Sequence, residues 1–299
     1  MVPVFGFLFS ETKNFFPLSL IYHCIWGDIM KFAEIKYSEI DQNIIFNRLN
    51  SVFNPYTTED EAVLGAEGYI VRFNLSRNAD EKSRKRAAAK VQSFLNEKGV
   101  ISIVGEQFEG VYTSNGRTIM ALLALNRVKT TDEVVIIGGE KDLTETLLCV
   151  LCPSVNYLSL LTDESYKYSD TVEYFFKEFG INIQLINRFK HENFKNADVV
   201  INCALRSENY DYLLKNGCLY YDLANDEKRL RHIRKIRGDI HIVNSVVIKN
   251  SGTEISSEKA ECAMYAVNNN FKRLADGNIN CREKLILIEN IGLSPLTSF

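Results

Sequence analysis

The sequence predicts an α/β protein in which a doubly wound parallel sheet of the Rossmann type is preceded by a smaller α/β domain. Between residues 133 and 247, six short runs rich in strand-forming residues alternate with helical segments. The first of these runs, residues 133–137, is continuously apolar after Glu133, as expected of a strand that helices cover on both faces. Upstream, a strand, a helix and a second strand at residues 68–105 form a separate βαβ unit.

Residues 1–29 are rich in apolar and aromatic side chains, yet they match neither a signal peptide nor a membrane span. The stretch lacks a basic start, and polar residues 11–14 and Pro17 interrupt it. Trp26, Gly27 and Asp28 can be encoded as TGGGGAGAY, which contains GGGGAGA, a bacterial ribosome-binding site, one codon before Met30. We therefore expect translation to begin at Met30 and residues 1–29 to be a misassigned extension. The alternative is a short amphipathic anchor.

The small α/β domain is expected to span residues 30–115. Its first helix is predicted at residues 38–53, where Ser38 can act as the cap and apolar residues recur at helical spacing: Ile40, Ile44, Ile45, Leu49 and Phe53. A strand at 68–75, a helix at 78–98 that ends at Gly99, and a strand at 100–105 follow. The length of this connection predicts that the two strands are parallel.

A Rossmann-type domain, entered through a connecting helix at 117–127, is expected over residues 116–254. Its predicted strands are 133–137, 157–161, 181–186, 198–203, 218–223 and 241–247. The helices between them are predicted at 142–151, 170–179, 191–195, 208–215 and 226–236. In the last segment, residues 255–299, a closing helix at 256–274 and an apolar tail at 285–296 are expected to pack on the first domain. The same tail could instead support a homodimer.

Charge and cysteine content exclude several classes of protein. The net charge of -3 and the pI of about 5.9 give no long-range attraction to nucleic acid or to an anionic membrane. Two basic runs, 82–90 and 228–237, are interpreted as solvated helix faces. Seven cysteines at irregular spacing favour a reduced, cytoplasmic protein. Cys149 and Cys152 form the one C-x-x-C pair and lack two further ligands, so we predict no metal site.

The turn after the first Rossmann strand departs from the dinucleotide fingerprint G-x-G-x-x-G. Gly138 and Gly139 provide the tight turn, but Glu140 stands where the second glycine of the fingerprint is required. Glu140, Asp142 and Glu145 crowd the start of the next helix. Carboxylates there suit the helix dipole, but they repel the phosphate that binds at this place in nucleotide-binding relatives of the fold.

Asp163 is the feature that favours a dinucleotide. It follows Thr162 at the end of the second predicted Rossmann strand, where an acidic residue accepts hydrogen bonds from the adenine ribose of NAD. Ligands of such sheets bind beyond the carboxyl ends of the strands, which also selects Asn202, Cys203 and Asp222. The sequence contains neither G-x-S-x-G nor H-E-x-x-H, and no catalytic pair or triad stands out.

From Tyr112 onward, the arrangement resembles the shikimate dehydrogenase family. The turn Thr113-Ser114-Asn115-Gly116 is similar to the family's N-T-D-G turn, which opens the connecting helix. Residues 200–204 look like the fourth-strand turn near the nicotinamide, and residues 220–222 look like the fifth-strand ending. The resemblance implies a two-domain shape with NAD as the candidate cofactor. Gly138, Gly139, Thr162, Asp163, Asn202 and Cys203 would then bind the cofactor, and Thr113, Ser114, Asn115 and Asp222 the substrate.

The departures from that family concern its chemistry. Asn115 stands where the family has a catalytic aspartate, and a carboxamide cannot act as a base. Residues 60–112 contain no counterpart of the family's catalytic lysine motif. The resemblance therefore supports the shape and not shikimate chemistry.

Three functional hypotheses follow from the sequence. The first is a nicotinamide-dependent oxidoreductase that acts on a small molecule in an interdomain cleft. The second is a Rossmann-like binding or regulatory module without catalysis, which Asn115 and the acidic turn favour. The third is a transferase that uses a nucleoside-type donor such as S-adenosylmethionine. For all three we expect a small-molecule ligand and neither a nucleic acid nor a membrane as partner.

Overall fold

A computed structural model describes residues 30–38, 43–76, 78–250 and 253–292. It contains a five-stranded sheet, a six-stranded sheet and a two-stranded ribbon. The expected N-terminal extension, Ile40 of the first predicted helix and the end of the apolar tail lie outside these residues. Within the described ranges, no helix has the length and hydropathy that crossing a lipid bilayer requires.

The first sheet is built around a strand that the sequence patterns did not reveal. Strand β1 (Lys31–Tyr37) lies in its centre, and β2 (Tyr56–Val63) forms one edge. β3 (Ala66–Phe73) and β4 (Val100–Val104) each run parallel to β1 on either side. The two strands of the predicted βαβ unit are therefore parallel, but each pairs with β1. Strand β5 (Tyr112–Ser114), which was predicted as part of a turn, completes the order β2-β3-β1-β4-β5.

The two helices of the first domain differ in how they pack. Helix α1 (Ile44–Phe53) is shorter than predicted, and Asn43 caps it by accepting a hydrogen bond from the N–H of Phe46. Helix α2 (Glu81–Glu97) buries an apolar stripe at helical spacing, as amphipathic helices usually do. Helix α1 does the opposite: the side chains that it buries are polar, namely Asn47 and Ser51.

The six-stranded sheet confirms the predicted doubly wound fold. Its strands are β6 (Glu133–Ile137), β7 (Tyr157–Leu161), β8 (Ile183–Ile186), β9 (Val199–Asn202), β10 (Leu219–Asp222) and β11 (His241–Val243). All neighbouring strands are parallel and follow the order β8-β7-β6-β9-β10-β11, so the topological switch point lies between β6 and β9. Alternate residues of β6 belong to two apolar clusters, one on each face, which explains why that strand is continuously apolar.

Helices connect these strands as the sequence predicts, with one exception. They are α3 (Arg117–Leu123), which enters the domain, and α4 (Lys141–Leu151), α5 (Ser169–Phe179), α6 (His191–Phe194) and α7 (Glu227–Ile236). The helix predicted at 208–215 is wrong, because the structure has only a short 3-10 turn there, Asp211–Leu213. Arg229 donates hydrogen bonds to the carbonyl oxygens of Arg206 and Glu208, so these carbonyls have partners outside any helix.

The C-terminal segment is more divided than expected. The hairpin β12 (Val247–Asn250) and β13 (Thr253–Ser256) precedes α8 (Ser257–Val267) and α9 (Asn269–Asp276). The single helix predicted at 256–274 is therefore interrupted at Asn268, whose side chain caps α9. Helix α8 packs against β1, β3, β4 and β5. The apolar tail forms α10 (Cys281–Ile291), which packs on α4 and α9.

Candidate functional site

The switch point brings together the loops that follow β6 and β9. Gly138 and Gly139 follow the first strand, and Cys203 follows the second. An added Cβ on Gly139 would overlap the carbonyl oxygen of Cys203 and lie 2.7 Å from its carbonyl carbon. The two loops are therefore already in contact, and this contact explains the glycine. Burial raises the pKa of the Cys203 thiol to about 12, so this candidate residue stays a neutral thiol at physiological pH.

Arg206 occupies the cofactor side of the switch point. Its guanidinium forms an ion pair with Asp163 and donates a hydrogen bond to the carbonyl oxygen of Gly138 at 3.3 Å. Asp163, the predicted partner of a ribose, is thus bound by the chain itself. The Thr162 hydroxyl accepts a hydrogen bond from the N–H of Glu164 at 3.1 Å, which shapes the same loop.

Arg229 fixes the loop that carries Arg206. Its guanidinium pairs with Asp211 at 2.8 Å, lies over the ring of Tyr210, 4.1 Å from its centroid, and binds the two loop carbonyls named above. Arg229, Asp211 and Tyr210 are all buried. Because this cluster holds the backbone at Arg206 and at Glu208, Arg206 is positioned by a rigid support.

The N-terminus of α4 does not offer a phosphate site. Glu140 stands at its first turn and forms an ion pair with Arg117 at 3.1 Å. Arg117 also donates a hydrogen bond to the carbonyl oxygen of Cys203 at 3.4 Å, which closes the switch point from the side of the first domain. Glu140 lies where the pyrophosphate of a dinucleotide binds, and the loops of Gly139 and Cys203 touch, so the residues present do not form the open glycine turn that the pyrophosphate requires.

Lys284 neutralises the other carboxylates of α4. Its ammonium contacts Asp142 at 2.7 Å and Glu145 at 2.6 Å, and its side chain is 0% exposed. Glu145 also accepts a hydrogen bond from the Thr171 hydroxyl at 2.7 Å. Burial alone would lower the pKa of Lys284, but the hydrogen bonds and charges of the two carboxylates outweigh it and raise that pKa. The carboxylates at the start of α4 therefore bind α10 through Lys284.

Asn202 and Asp222 lie together but away from solvent. The Asn202 side-chain amide donates a hydrogen bond to Asp222 at 2.9 Å, and the N–H of Asp226 donates another at 3.0 Å. Both Asn202 and Asp222 are 0% exposed. Burial raises the pKa of Asp222, despite these hydrogen bonds. The pair joins the ends of β9 and β10, and neither side chain is open to a substrate.

Glu261 of α8 binds the turn that was predicted to hold the substrate. It accepts hydrogen bonds from the Ser114 hydroxyl at 3.0 Å and the Tyr112 hydroxyl at 2.9 Å. It also accepts from backbone N–H groups at the start of α3: Asn115, Gly116, Thr118 and Ile119. Glu261 is 0% exposed. Sequence reasoning missed this residue, although a single carboxylate within the apolar run 260–267 was a visible signal.

A polar cavity of about 140 Å³ lies beside the switch point, between the first domain, α4 and α9. The predicted substrate residues Thr113 and Asn115 line it, together with Arg117, Glu140 and Asp142. Two of the lining residues contain a buried polar atom that has no hydrogen-bond partner among the described residues, namely Oγ1 of Thr113 and Nε of Arg117. Of the predicted substrate residues, the structure thus brings Thr113 and Asn115 to one cavity and holds Ser114 and Asp222 in internal contacts. Nowhere in the described ranges do three potential metal ligands cluster.

The comparison with family models gives no match, and a search of curated proteins gives none either. Among solved structures, the chain is similar to ligand-free 5-ketofructose reductase of Gluconobacter sp. strain CHM43, with 10% identity and a TM-score of 0.37 over 89% of this chain and 100% of the other. Quinate dehydrogenase from Corynebacterium glutamicum in complex with NAD gives 11% identity and a TM-score of 0.38 over 87% and 99%. Ligand-free aspartate transcarbamoylase from Trypanosoma cruzi gives 10% and 0.34 over 65% and 72%.

These likenesses agree with a Rossmann-like architecture at a coarse level and carry no conclusion about activity. Two residues of this chain, Arg206 and Glu261, bind side chains that were predicted to hold a cofactor or a substrate. Neither was predicted, because each acts on residues far away in sequence: Arg206 on Asp163, and Glu261 on the turn at 113–116.

Proposed function

We propose that this chain is a Rossmann-type binding protein that takes a small polar molecule with a carboxylate in the cavity beside the switch point. The observation that carries the proposal is Arg117, which lines that cavity and whose Nε is buried and unpaired among the described residues. A buried donor without an acceptor costs about 1–3 kcal/mol, and a bound acceptor removes that cost. Arg206 supports a small ligand over a dinucleotide, because its guanidinium binds Asp163 and the carbonyl oxygen of Gly138, where a dinucleotide would bind.

The size of the cavity selects a small ligand. At about 140 Å³, it has room for roughly five water molecules and lies below the ~300 Å³ at which pockets for cofactors and drug-sized ligands begin. A molecule the size of a small amino acid or hydroxy acid suits this volume.

The charges around the cavity select the chemistry of the ligand. Arg117 offers an N–H to a carboxylate, and the Thr113 hydroxyl can donate to or accept from the same ligand. Glu140 and Asp142 line the same cavity, and their carboxylates suit an ammonium group. An α-amino acid therefore satisfies more of this lining than a simple carboxylic acid does.

Thermal unfolding of the full chain in the presence of glycine, serine, aspartate, lactate or acetate tests the proposal. Saturation by a ligand at 100 times its dissociation constant stabilises the folded state by about 2.7 kcal/mol, which is a measurable shift in Tm. We expect an amino acid to raise the Tm of the wild type and to lose this effect in Arg117→Met and Thr113→Val.

Arg231→Met is the matched control, because Arg231 is an exposed arginine of α7 away from the cavity. It should keep the ligand response of the wild type. The proposal fails if none of the five compounds shifts the Tm, or if Arg117→Met responds as the wild type does.

A nicotinamide-dependent oxidoreductase is the second candidate, and the position of Asp163 favours it. This carboxylate follows β7 in a Rossmann sheet and stands where a ribose-binding acid is expected. The candidate requires Arg206 to leave Asp163 and Gly138 when the cofactor binds. A Tm shift caused by NAD and abolished in Asp163→Ala would support it over the amino-acid site.

A further inference from the structure

Helix α1 presents its apolar side to solvent. Ile45 is 68% exposed and Phe53 is 80% exposed. Phe46, Leu49 and Val52 are exposed as well, and all five lie on one side of the helix at helical spacing. A contiguous apolar surface of this kind marks an interaction site more often than chance exposure.

Polar contacts hold the helix in this orientation. The Asn47 side-chain amide donates a hydrogen bond to the Ser76 hydroxyl at 3.0 Å, and the N–H of Ser76 donates one back to Asn47 at 3.1 Å. The Asn50 amide donates to the carbonyl oxygen of Asn74 at 2.9 Å. These bonds satisfy the buried side of α1, so turning its apolar side inward would leave polar groups unpaired. The exposed apolar side is thus built into the fold.

The neighbouring surface of α2 is basic. Five of its exposed side chains are cationic, namely Lys82, Arg84, Lys85, Arg86 and Lys90. Its two exposed acids are Glu81, which pairs with Lys85 at 2.7 Å, and Glu97 at the far end of the helix. Lys90 donates a hydrogen bond to the carbonyl oxygen of Val52, and Arg48 of α1 pairs with Asp80 at 3.4 Å. The basic side of α2 and the apolar side of α1 are therefore adjacent.

We propose that α1 and the basic side of α2 form a docking surface for an anionic lipid bilayer. A helix that offers phenylalanine and aliphatic side chains beside lysines and arginines lies in the plane of a bilayer, with its apolar side in the interface and its cations at the head groups. The contact is peripheral. Because it depends on the local cluster of cations on α2, it can form although the net charge of the chain is -3. This inference is independent of the cavity.

The charges disfavour a second copy of the chain as the occupant. A two-fold contact between two α1 helices brings two copies of the same basic side close together, and like charges across an interface repel. A ten-residue helix is also only about 15 Å long, which limits the area that such a pair could bury.

Flotation of the full chain with vesicles tests the proposal. We expect binding to vesicles of 70% phosphatidylcholine and 30% phosphatidylglycerol, and at least tenfold weaker partitioning to phosphatidylcholine alone. Phe46→Ser/Phe53→Ser should reduce binding to the anionic vesicles at least tenfold. Lys85→Glu/Arg86→Glu should reduce it to a similar extent and make the remaining binding less sensitive to salt.

Phe176→Ser is the matched control, because Phe176 is an exposed phenylalanine on α5 of the other domain. It should bind as the wild type does. Since every variant retains residues 1–29, a loss confined to the α1 and α2 variants assigns binding to this surface. Absence of binding to anionic vesicles, equal binding by all variants, or a dimer that Phe46→Ser/Phe53→Ser dissociates would overturn the proposal.

Discussion

Two regions that meet at the start of α4 differ in the space that they leave for a ligand. At the switch point, the loops of Gly139 and Cys203 touch, and the guanidinium of Arg206 pairs with Asp163 and with the carbonyl oxygen of Gly138, although its Nε is buried without a partner among the described residues. The neighbouring region contains a polar cavity, and two of its lining residues, Arg117 and Thr113, each have a buried polar atom without such a partner. The contrast indicates that the space for a ligand lies beside the switch point.

The largest expected effect on stability comes from the start of α4, where the two regions meet. Lys284→Met removes the cation that contacts Glu145 at 2.6 Å and Asp142 at 2.7 Å, and it leaves the buried Glu145 with the more distant Lys141, at 3.7 Å. Removing one partner of a buried ion pair costs about 3–5 kcal/mol, and we expect a loss of that size in the free energy of unfolding, measured by urea denaturation. Lys177→Met is the control, because Lys177 pairs with Glu173 on an exposed face of α5 and its loss should change stability little. Equal effects of the two variants would contradict the assignment.

Glu261→Gln tests the cavity side of the comparison. Both oxygens of the Glu261 carboxylate accept hydrogen bonds from backbone N–H groups at the start of α3. In the variant, an NH₂ group replaces one of these oxygens and cannot accept, so α3 loses part of its cap. We expect a loss of about 3 kcal/mol in the free energy of unfolding, because hydrogen bonds to charged groups are strong. Amide hydrogen exchange should rise first at residues 115–119. Unchanged exchange there would show that Glu261 is dispensable for the turn.

Gly139→Ala tests how closed the switch point is. The added methyl group would overlap the carbonyl oxygen of Cys203, and overpacking of this kind costs about 1–3 kcal/mol. Gly138→Ala meets only the end of the Leu160 side chain, at 3.1 Å, which can shift, so it should cost less. If thermal unfolding shows Gly139→Ala to be the milder variant, the two loops are not in contact.

Asp222→Asn has the smallest expected effect, which is a change in pH dependence. Burial raises the pKa of Asp222 in the folded state above its unfolded value, so the folded state holds this proton more tightly. Its contribution to stability is therefore present at low pH and declines as pH rises from the unfolded pKa through the folded pKa. The asparagine cannot ionise, so the stability of the variant relative to the wild type should increase from pH 4 upward. A constant difference between the two proteins would contradict the raised pKa.

Much of the Rossmann domain could be predicted from the sequence, because its signals are local. Strands β6 and β7 occur at the predicted residues, since burial on both faces requires apolar runs that turns then end. The exception at 208–215 has a non-local cause, the side chain of Arg229. The spacing of apolar residues within 208–215 contains no information about the hydrogen bonds that Arg229 of α7 makes there.

The first domain was predicted less well. Strand β1 alternates apolar and charged residues only from Ala33 to Tyr37, because Phe32 and Ala33 are both apolar and buried, so its pattern of period two is short. Strand β2 is an edge strand with the polar run 57–61, so it carries little apolar signal. For α1, spacing identified a helix with an apolar side, but a hydrogen bond to Ser76 decides which side faces the core.

For the candidate site, the sequence indicates positions but not the contacts made there. The structure places the glycine turn at the switch point, and it places Thr113 and Asn115 of the turn at 113–116 in the lining of the neighbouring cavity. The charged side chains that bind these predicted residues are far away in sequence. Arg206 binds Asp163 over 43 positions, and Glu261 binds Ser114 over 147 positions. No local pattern encodes such pairs.

Calorimetric titration of the full chain with NAD and with NADP tests the central claim most directly. Because Arg206 binds Asp163 and the carbonyl oxygen of Gly138, and the loops of Gly139 and Cys203 touch, we predict no saturable heat with either dinucleotide. Saturable binding of NAD by the wild type that Asp163→Ala abolishes would contradict the account and return the switch point to the role of a cofactor site.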